Sequence, residues 1–230
     1  LERLKWTQDI LVIDASPEAL EALLAEFPWV QVRHGTDVLL SQQPELKKAY
    51  DAVVIALPNA LHVASVTRSL EAGFPVLCEK PLALSETDCR KLGHAADACG
   101  RTLAVGLVRR HSAAAKAVSL ALQQRFLGDL LEVDVDHGGP YAWTSVSGAF
   151  FRRENGGILA DLGVHHLDWI ASMVGRLEPV SYQDDSAGGV EASCEYRLKS
   201  KTGVTVRLSL SHRFKRPDVT RFRCERGTIL

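Results

Sequence analysis

The sequence predicts an α/β protein in two parts: a doubly wound parallel sheet with crossover helices, then an α+β domain on a largely antiparallel open sheet. Short apolar runs alternate with helical segments up to residue 107, the pattern that parallel strands and their crossover helices require. One of those runs, residues 52–57, is almost continuously apolar, as expected of a strand covered on both faces. Beyond Arg109-Arg110-His111 the pattern turns to period-two alternation, which sets one face of a strand toward a core and the other toward water.

The elements follow in order. Residues 10–13 form a strand that ends at Asp14. Ser16-Pro17-Glu18 then opens a helix with a capping hydroxyl, a proline where an N–H is dispensable, and an acid beside the positive helix end. Residues 30–33 are a second strand and 52–57 a third, which Pro58-Asn59 turns into a helix stopping near Gly73. Residues 76–78 are the fourth strand. Ser85 caps the next helix, with Asp88 in the capping-box position; Gly100 ends it, and residues 102–107 are the fifth strand. The second part opens with a helix over 113–124 and continues in strands at 131–136, 192–198 and 204–211, so the boundary falls near residue 112.

Composition excludes several classes of partner. With 46% hydrophobic and 24% charged residues in 230, the chain can bury one large core or two modest ones. A formal net charge of −1, with Lys and Arg scattered, argues against nucleic acid and anionic membrane. No apolar run is long enough to span a bilayer. Five cysteines without a Cys-x-x-Cys pair fit reduced thiols in the cytoplasm better than a disulfide framework or a zinc site.

In open α/β sheets ligands sit beyond the carboxyl ends of the strands, which singles out Asp14, Pro58-Asn59, Glu79-Lys80-Pro81 and Arg109-Arg110. Pro81 also biases Lys80 toward an extended backbone. A dinucleotide site needs a strand, a glycine-rich turn and a helix N-terminus, with a ribose-binding acid about twenty residues later. Asp14 suits that acid, yet residues 1–8 hold no glycine. The chain is therefore expected to open inside a first crossover helix, leaving a gap in the sheet that weakens cofactor binding by residues 1–230 alone.

In the second part, Gly156-Gly157 precedes a mostly apolar helical segment running to Ile170. Asp161, His165, Asp168 and Ser172, spaced four, three and four apart, share one stripe of it, while His166 points elsewhere. Buried acids and imidazoles are costly unless paired or used, so the stripe is an internal network, a solvent-facing edge or a site. Metal ligation by Asp161 and His165 lacks a third ligand, and no metal is assigned. The double glycine admits close approach of another backbone or of a ligand. Tyr141, Trp143 and Arg152-Arg153, just upstream, are candidates for lining a pocket.

Asp14, Ala56-Leu57-Pro58-Asn59-Ala60-Leu61-His62, Glu79-Lys80-Pro81, Gly106-Leu107-Val108-Arg109-Arg110, and Gly156-Gly157 with Asp161, Gly163, His165 and Asp168 have a specific order and spacing. Together they resemble the glucose-fructose oxidoreductase / inositol dehydrogenase / MocA group of nicotinamide-dependent oxidoreductases over nearly the whole chain. Leu57 departs from the group, where threonine is common. The resemblance implies a Rossmann-type dinucleotide-binding domain over residues 1–112, its first strand and glycine-rich loop preceding Leu1, and an incomplete substrate-binding and oligomerisation domain over 113–230. It implies cofactor contacts from Asp14, Leu57, Pro58, Asn59, His62, Glu79, Lys80 and Arg109, with Glu79 near the nicotinamide.

Lys80, Asp161 and His165 are the implied catalytic set, Lys80 lying in a Lys-Pro unit whose peptide is often cis in this group. His165 takes the proton of a substrate hydroxyl, Lys80 hydrogen-bonds the same oxygen, and Asp161 orients His165 or binds a neighbouring hydroxyl. The substrate is then a sugar, polyol or related small molecule. NAD is favoured over NADP, because the Asp14 carboxylate accepts from ribose hydroxyls and repels a 2′-phosphate that Ser16 cannot grip. A cytoplasmic homo-oligomer without nucleic acid or membrane partners is expected. Three alternatives share these residues: a cofactor-binding regulator without turnover, an NAD-dependent glycoside hydrolase, and a chain inactive for want of its glycine-rich loop.

Overall fold

The computed structural model describes residues 9–141, 152–187 and 189–230; the expectations on residues 1–8 and on Trp143 lie outside them. The chain divides into two compact units. One takes the chain through Leu57 together with Leu61–Cys78 and Glu86–Ala104; the other takes Pro58–Ala60, Glu79–Ser85 and Val105–Leu230. Two short excursions at strand ends thus belong to the second unit, and one of them carries Lys80.

Up to residue 105 the elements are β1 (Leu11–Asp14), α1 (Pro17–Glu26), β2 (Gln31–His34), α2 (Leu39–Gln42), α3 (Leu46–Ala49), β3 (Val53–Ile55), α4 (Asn59–Glu71), β4 (Val76–Cys78), α5 (Glu86–Cys99) and β5 (Leu103–Val105). The Ser16 hydroxyl accepts the Ala19 N–H at 3.1 Å, capping α1 as its sequence requires. After α4 and α5 the chain turns through Gly73 and Gly100 at φ +85° and +60°. Phe74 and Arg101 then donate back to Ser69 and Ala96, five residues earlier, which satisfies carbonyls the helices leave open. β1 pairs in parallel with β2, and β3 with β4. Among the described residues these strands form separate sheets, β1-β2 and β3-β4-β5.

The third strand is not covered on both faces. Ile55, Val76 and Cys78 are 4%, 3% and 0% exposed, but Val54 and Leu77, opposite each other in register, are 56% and 43% exposed. Right-handed crossovers through consecutive neighbouring strands place α4 and α5 on one side of the sheet, and only alternate residues face that side.

The second unit holds a 3-10 turn at Arg109–His111, α6 (Ala113–Gln123), β6 (Leu130–Gly138), a 3-10 turn at Arg153–Asn155, a π turn at Leu159–Gly163, α7 (Val164–Val174), β7 (Leu177–Asp184), β8 (Ser193–Ser200), β9 (Thr205–Ser211), β10 (Val219–Cys224) and β11 (Gly227–Ile229). Its six-stranded sheet runs β11-β10-β6-β9-β8-β7 and is antiparallel except where β6 meets β9. One face packs on the helices: Val133, Val135, Val206, Leu208, Leu210 and Phe222 meet Ala115, Trp169 and Ile170 in one core. The wholly buried Leu208, Leu210 and Ile170 each contribute about 1.5–3 kcal/mol by removal from water. The other face carries ion pairs across strands, Glu132 with Arg223 at 2.7 Å and Asp134 with Arg207 at 2.6 Å and Arg221 at 3.2 Å.

Strands β7, β10 and β11 were not expected. Val219–Cys224 reads as basic and polar until Asp134 and Glu132 on β6 neutralise its arginines. The single helix expected from Gly156 to Ile170 is also corrected. It is a π turn at Leu159–Gly163 that runs into α7, because the loop before β8 captures its start: the Glu191 carbonyl accepts Ile158 N–H at 3.1 Å and its carboxylate accepts Leu159 N–H at 3.2 Å.

Candidate active site

The strand-end residue Lys80 meets the π turn. Its ammonium donates to the Asp161 carboxylate at 2.6 Å and to the Asp161 backbone carbonyl at 3.0 Å, with both side chains about one-fifth exposed. The Lys80-Pro81 peptide is cis. The other Asp161 oxygen lies 3.2 Å from Nε2 of His212, the residue directly after β9. Burial alone raises a carboxyl pKa, but hydrogen bonds from His212 and Lys80, and their charges, outweigh it and leave Asp161 at about 2.

That depression makes stability depend on acid. The ionised Asp161 stabilises the fold above the unfolded-state pKa of about 4, and the contribution is lost as pH falls through about 2. After discount for solvent screening it amounts to roughly 1–2 kcal/mol. We expect Asp161→Asn to flatten the pH dependence of unfolding free energy between those limits, measured by urea titration. An unchanged slope would reject the pairing.

His165, one turn further on, is partly buried, and its Nδ1 has no hydrogen-bond partner among the described residues. Burial first, then the charges of Lys80 and Arg109, hold its pKa below that of free histidine, so it is a neutral base at neutral pH. Asp161, expected to orient His165 or to bind a neighbouring hydroxyl, has its oxygens on Lys80 and His212 and makes no bond to His165 Nδ1. The predicted stripe is thus divided among three jobs. Asp161 binds Lys80, Asp168 pairs with Arg110 at 3.2 Å, and the Ser172 hydroxyl turns back onto the Trp169 carbonyl at 2.6 Å.

His166, set aside as pointing elsewhere, is completely buried. Nη1 of Arg109 lies 2.9 and 3.2 Å from its two ring nitrogens, and His137 is 3.2 Å away, itself paired with Asp218. Burial and the Arg109 charge push the His166 pKa down to about 2, so it stays neutral. Arg109, expected at the cofactor, is therefore placed against His166. Glu79 keeps its carboxylate beside Gly106, where a Cβ would stand only 3.1 Å from it, so that glycine makes room for the acid.

The remaining expected cofactor residues are Asp14, Leu57, Pro58, Asn59 and His62. Asp14 ends β1, and its Oδ1 accepts Ser16 N–H at 2.8 Å while Oδ2 has no partner among the described residues. His62 is 0% exposed, with Nε2 2.8 Å from the Leu57 carbonyl, bracing the turn after β3. Pro58 is exposed and Asn59 donates to the Asn155 carbonyl at 2.6 Å, while the Asn155 side chain accepts Ala60 N–H at 3.0 Å. Tyr141 packs edge-on against His212, ring centres 5.5 Å apart. Cavities of about 490 Å³ near Lys47, Lys48 and Arg68, and about 230 Å³ near Asp185 and Arg216, contain none of the expected site residues, so side-chain chemistry rather than concavity marks the site. Among the described residues no cluster of three or more His, Cys, Asp or Glu is arranged to hold a metal.

A nicotinamide dinucleotide fits these residues in part. Within the first unit, Asp14 has an open carboxylate oxygen suited to a ribose hydroxyl; within the second, Glu79 and Lys80 are joined by an unpartnered imidazole nitrogen on His165. The glycine-rich seat of a pyrophosphate is not among the described residues. Asp14 thus ends the first parallel strand of one unit, and the other unit, built on an open sheet, carries the Lys80–Asp161 pair.

Two family models match the chain: "Oxidoreductase family, NAD-binding Rossmann fold" over residues 3–107 and "GFO/IDH/MocA C-terminal domain" over residues 116–230. The chain belongs to the GFO/IDH/MocA oxidoreductase family. It is 31% identical over 134 residues to the rhizopine catabolism protein MocA of Rhizobium meliloti, covering 58% of this chain and 40% of that one. It is 28% identical over 172 residues to inositol 2-dehydrogenase of the same species, covering 75% and 48%. The chain spans about half the length of the curated relatives it matches. The WlbA dehydrogenase of Bordetella pertussis, solved with NADH and UDP-GlcNAcA, superimposes with a TM-score of 0.81 at 24% identity, over 95% of this chain and 64% of that one, a likeness of fold.

Proposed function

We propose that this chain carries the substrate-binding and acid–base residues of an NAD-dependent oxidoreductase that interconverts a hydroxyl and a carbonyl on a sugar, polyol or related small molecule. The observation that carries the reading is the Lys80–Asp161 ion pair beside a neutral His165 whose Nδ1 is unpartnered among the described residues. The bound nicotinamide supplies the acceptor for the hydride leaving the carbinol carbon. His165 takes the hydroxyl proton, since an imidazole held neutral by burial and nearby cations is a base at neutral pH. Lys80 donates to the same oxygen and offsets the negative charge that develops there. Asp161 holds Lys80 in place from the opposite side.

Residues 1–112 serve as the dinucleotide-binding domain in this reading, and 113–230 as the domain for substrate and self-association. Relatives named for inositol and for sugar nucleotides support the substrate class. Asp14 supports NAD over NADP, although other members of the fold were solved with NADP. The odd cysteine set supports a reducing, cytoplasmic setting, and exposed Val180 and Tyr182 on β7 support a homo-oligomer. No helix among the described residues is long and apolar enough to cross a membrane.

The test is to screen inositols, polyols, aldoses and sugar nucleotides for reduction of NAD and of NADP, followed by nucleotide fluorescence. The expected result is NADH formation with at least one of these and slower reduction of NADP. Faster NADP reduction would overturn the choice of cofactor, and inertness toward the whole panel by protein that binds NADH in the fluorescence titration would overturn the substrate class.

A further inference from the structure

We propose that His212 is a positioning residue for the reaction: its imidazole holds the second oxygen of Asp161, so that the first stays aimed at Lys80. The proposal deepens the oxidoreductase reading above and rests on it.

A carboxylate held on one side only can rotate about its last bond, and a lysine stem has four rotatable bonds of its own. Held at both oxygens, the carboxylate plane is fixed and the ammonium has one place to sit. His212 is well built for that hold. Its N–H donates to the Ala192 carbonyl at 2.7 Å and its own carbonyl accepts Tyr141 N–H at 2.9 Å, so the backbone is pinned on both sides just beyond β9. The ring stands edge-on to Tyr141 at an interplanar angle of 89°, which limits its rotation. Its side chain is 19% exposed, matching the 20% of Asp161, so the contact is only modestly screened by water.

Lys80 and Asp161 come from distant parts of the chain, and β9 brings a third group to the same carboxylate. The titratable groups facing His212 are Asp161 from the π turn, Lys80 beyond it, Tyr141 and, through its electrostatic influence, His137 of β6. For the imidazole to hold Asp161, Nε2 must carry a proton, in either the neutral or the charged ring. A glutamine in its place keeps an N–H at similar reach, whereas a leucine leaves one carboxylate oxygen without its donor.

The first measurement is the nitrogen NMR spectrum of the histidine-labelled protein at neutral pH, in which Nε2 of His212 is expected to be protonated. The second is the titration of the Asp161 carboxyl carbon. His212→Leu is expected to raise its midpoint by at least about one unit, and His212→Gln to return it most of the way. With substrate, His212→Leu is expected to lower kcat about tenfold while leaving KM for NAD unchanged, and His212→Gln to recover most of the loss. A bare Nε2 in the wild-type protein, or an Asp161 midpoint that ignores His212→Leu, overturns the proposal. The nitrogen spectrum decides even where a variant fails to fold. Neither NMR measurement needs turnover, so an inactive substrate panel would overturn the substrate class while the hold of His212 on Asp161 is still decided.

Discussion

Replacing Lys80 by methionine is expected to lower kcat by about a thousandfold, the loss typical when a donor to a developing oxyanion is removed from a partly buried site. Methionine keeps the length and apolar stem, so the change isolates the charge. A second effect has a defined sign. The Lys80 charge is one of the causes that hold the His165 pKa down, after burial and ahead of Arg109. Without it the imidazole becomes easier to protonate, and the acid limb of the kcat/KM profile moves to higher pH. The same upward movement is expected in the His165 titration followed by NMR, which needs no substrate. Turnover within a few-fold of wild type, or a limb that stays in place, would remove Lys80 and His165 from their assigned roles.

Gly157→Val is expected to destabilise the protein by about 3 kcal/mol, a fall in Tm of about 6–12 °C for a chain of this size. A Cβ at residue 157 would stand 2.2 Å from the Glu191 carboxyl carbon and 2.5 Å from the Glu191 backbone oxygen. The side chain could swing away, but that backbone oxygen is held by the N–H of Ile158, and moving it breaks the bond that starts the π turn. Asp161 sits inside that turn, so activity is expected to fall with stability. Gly93→Ala is the matched contrast: the residue lies within α5 with nothing within 4 Å of a new Cβ. There, the better helix propensity of alanine is expected to stabilise by about 0.5–1 kcal/mol. Thermal unfolding of the two variants side by side reads both signs, and a neutral Gly157→Val would show that Glu191 does not hold the turn.

The legible parts of the fold were those governed by local chemistry. The cap at Ser16, the turns through Gly73 and Gly100, and the strand at Val76–Cys78 depend on residues within a few positions of one another. Strand β10 was not legible, because its arginines find acids on β6 only once the sheet exists. The site shows the same split. Lys80, Asp161 and His165 were singled out by strand-end position, helical spacing and family resemblance. His212 and His166 were not: one follows an ordinary strand, and the other sits one residue off a stripe whose geometry assumed a continuous α-helix. A turn with π character redistributes the side chains around the axis, so spacing counted at 3.6 residues per turn misassigns their neighbours.

Local pattern was enough for the alternation of strands and helices, the carboxyl-end position of Asp14 and Lys80, and the presence of an acid and two imidazoles on one short segment. These follow from periodicity and end chemistry, which act over a few residues. Tertiary structure decided which groups meet. It gave Asp161 to Lys80 and His212 rather than to His165, buried His62 on α4 against the Leu57 carbonyl, set Arg109 against His166, and left alternate residues of the third strand exposed. A carboxylate accepts from whichever donors the packing of distant strands brings within about 3 Å, and that distance is absent from any count along the chain.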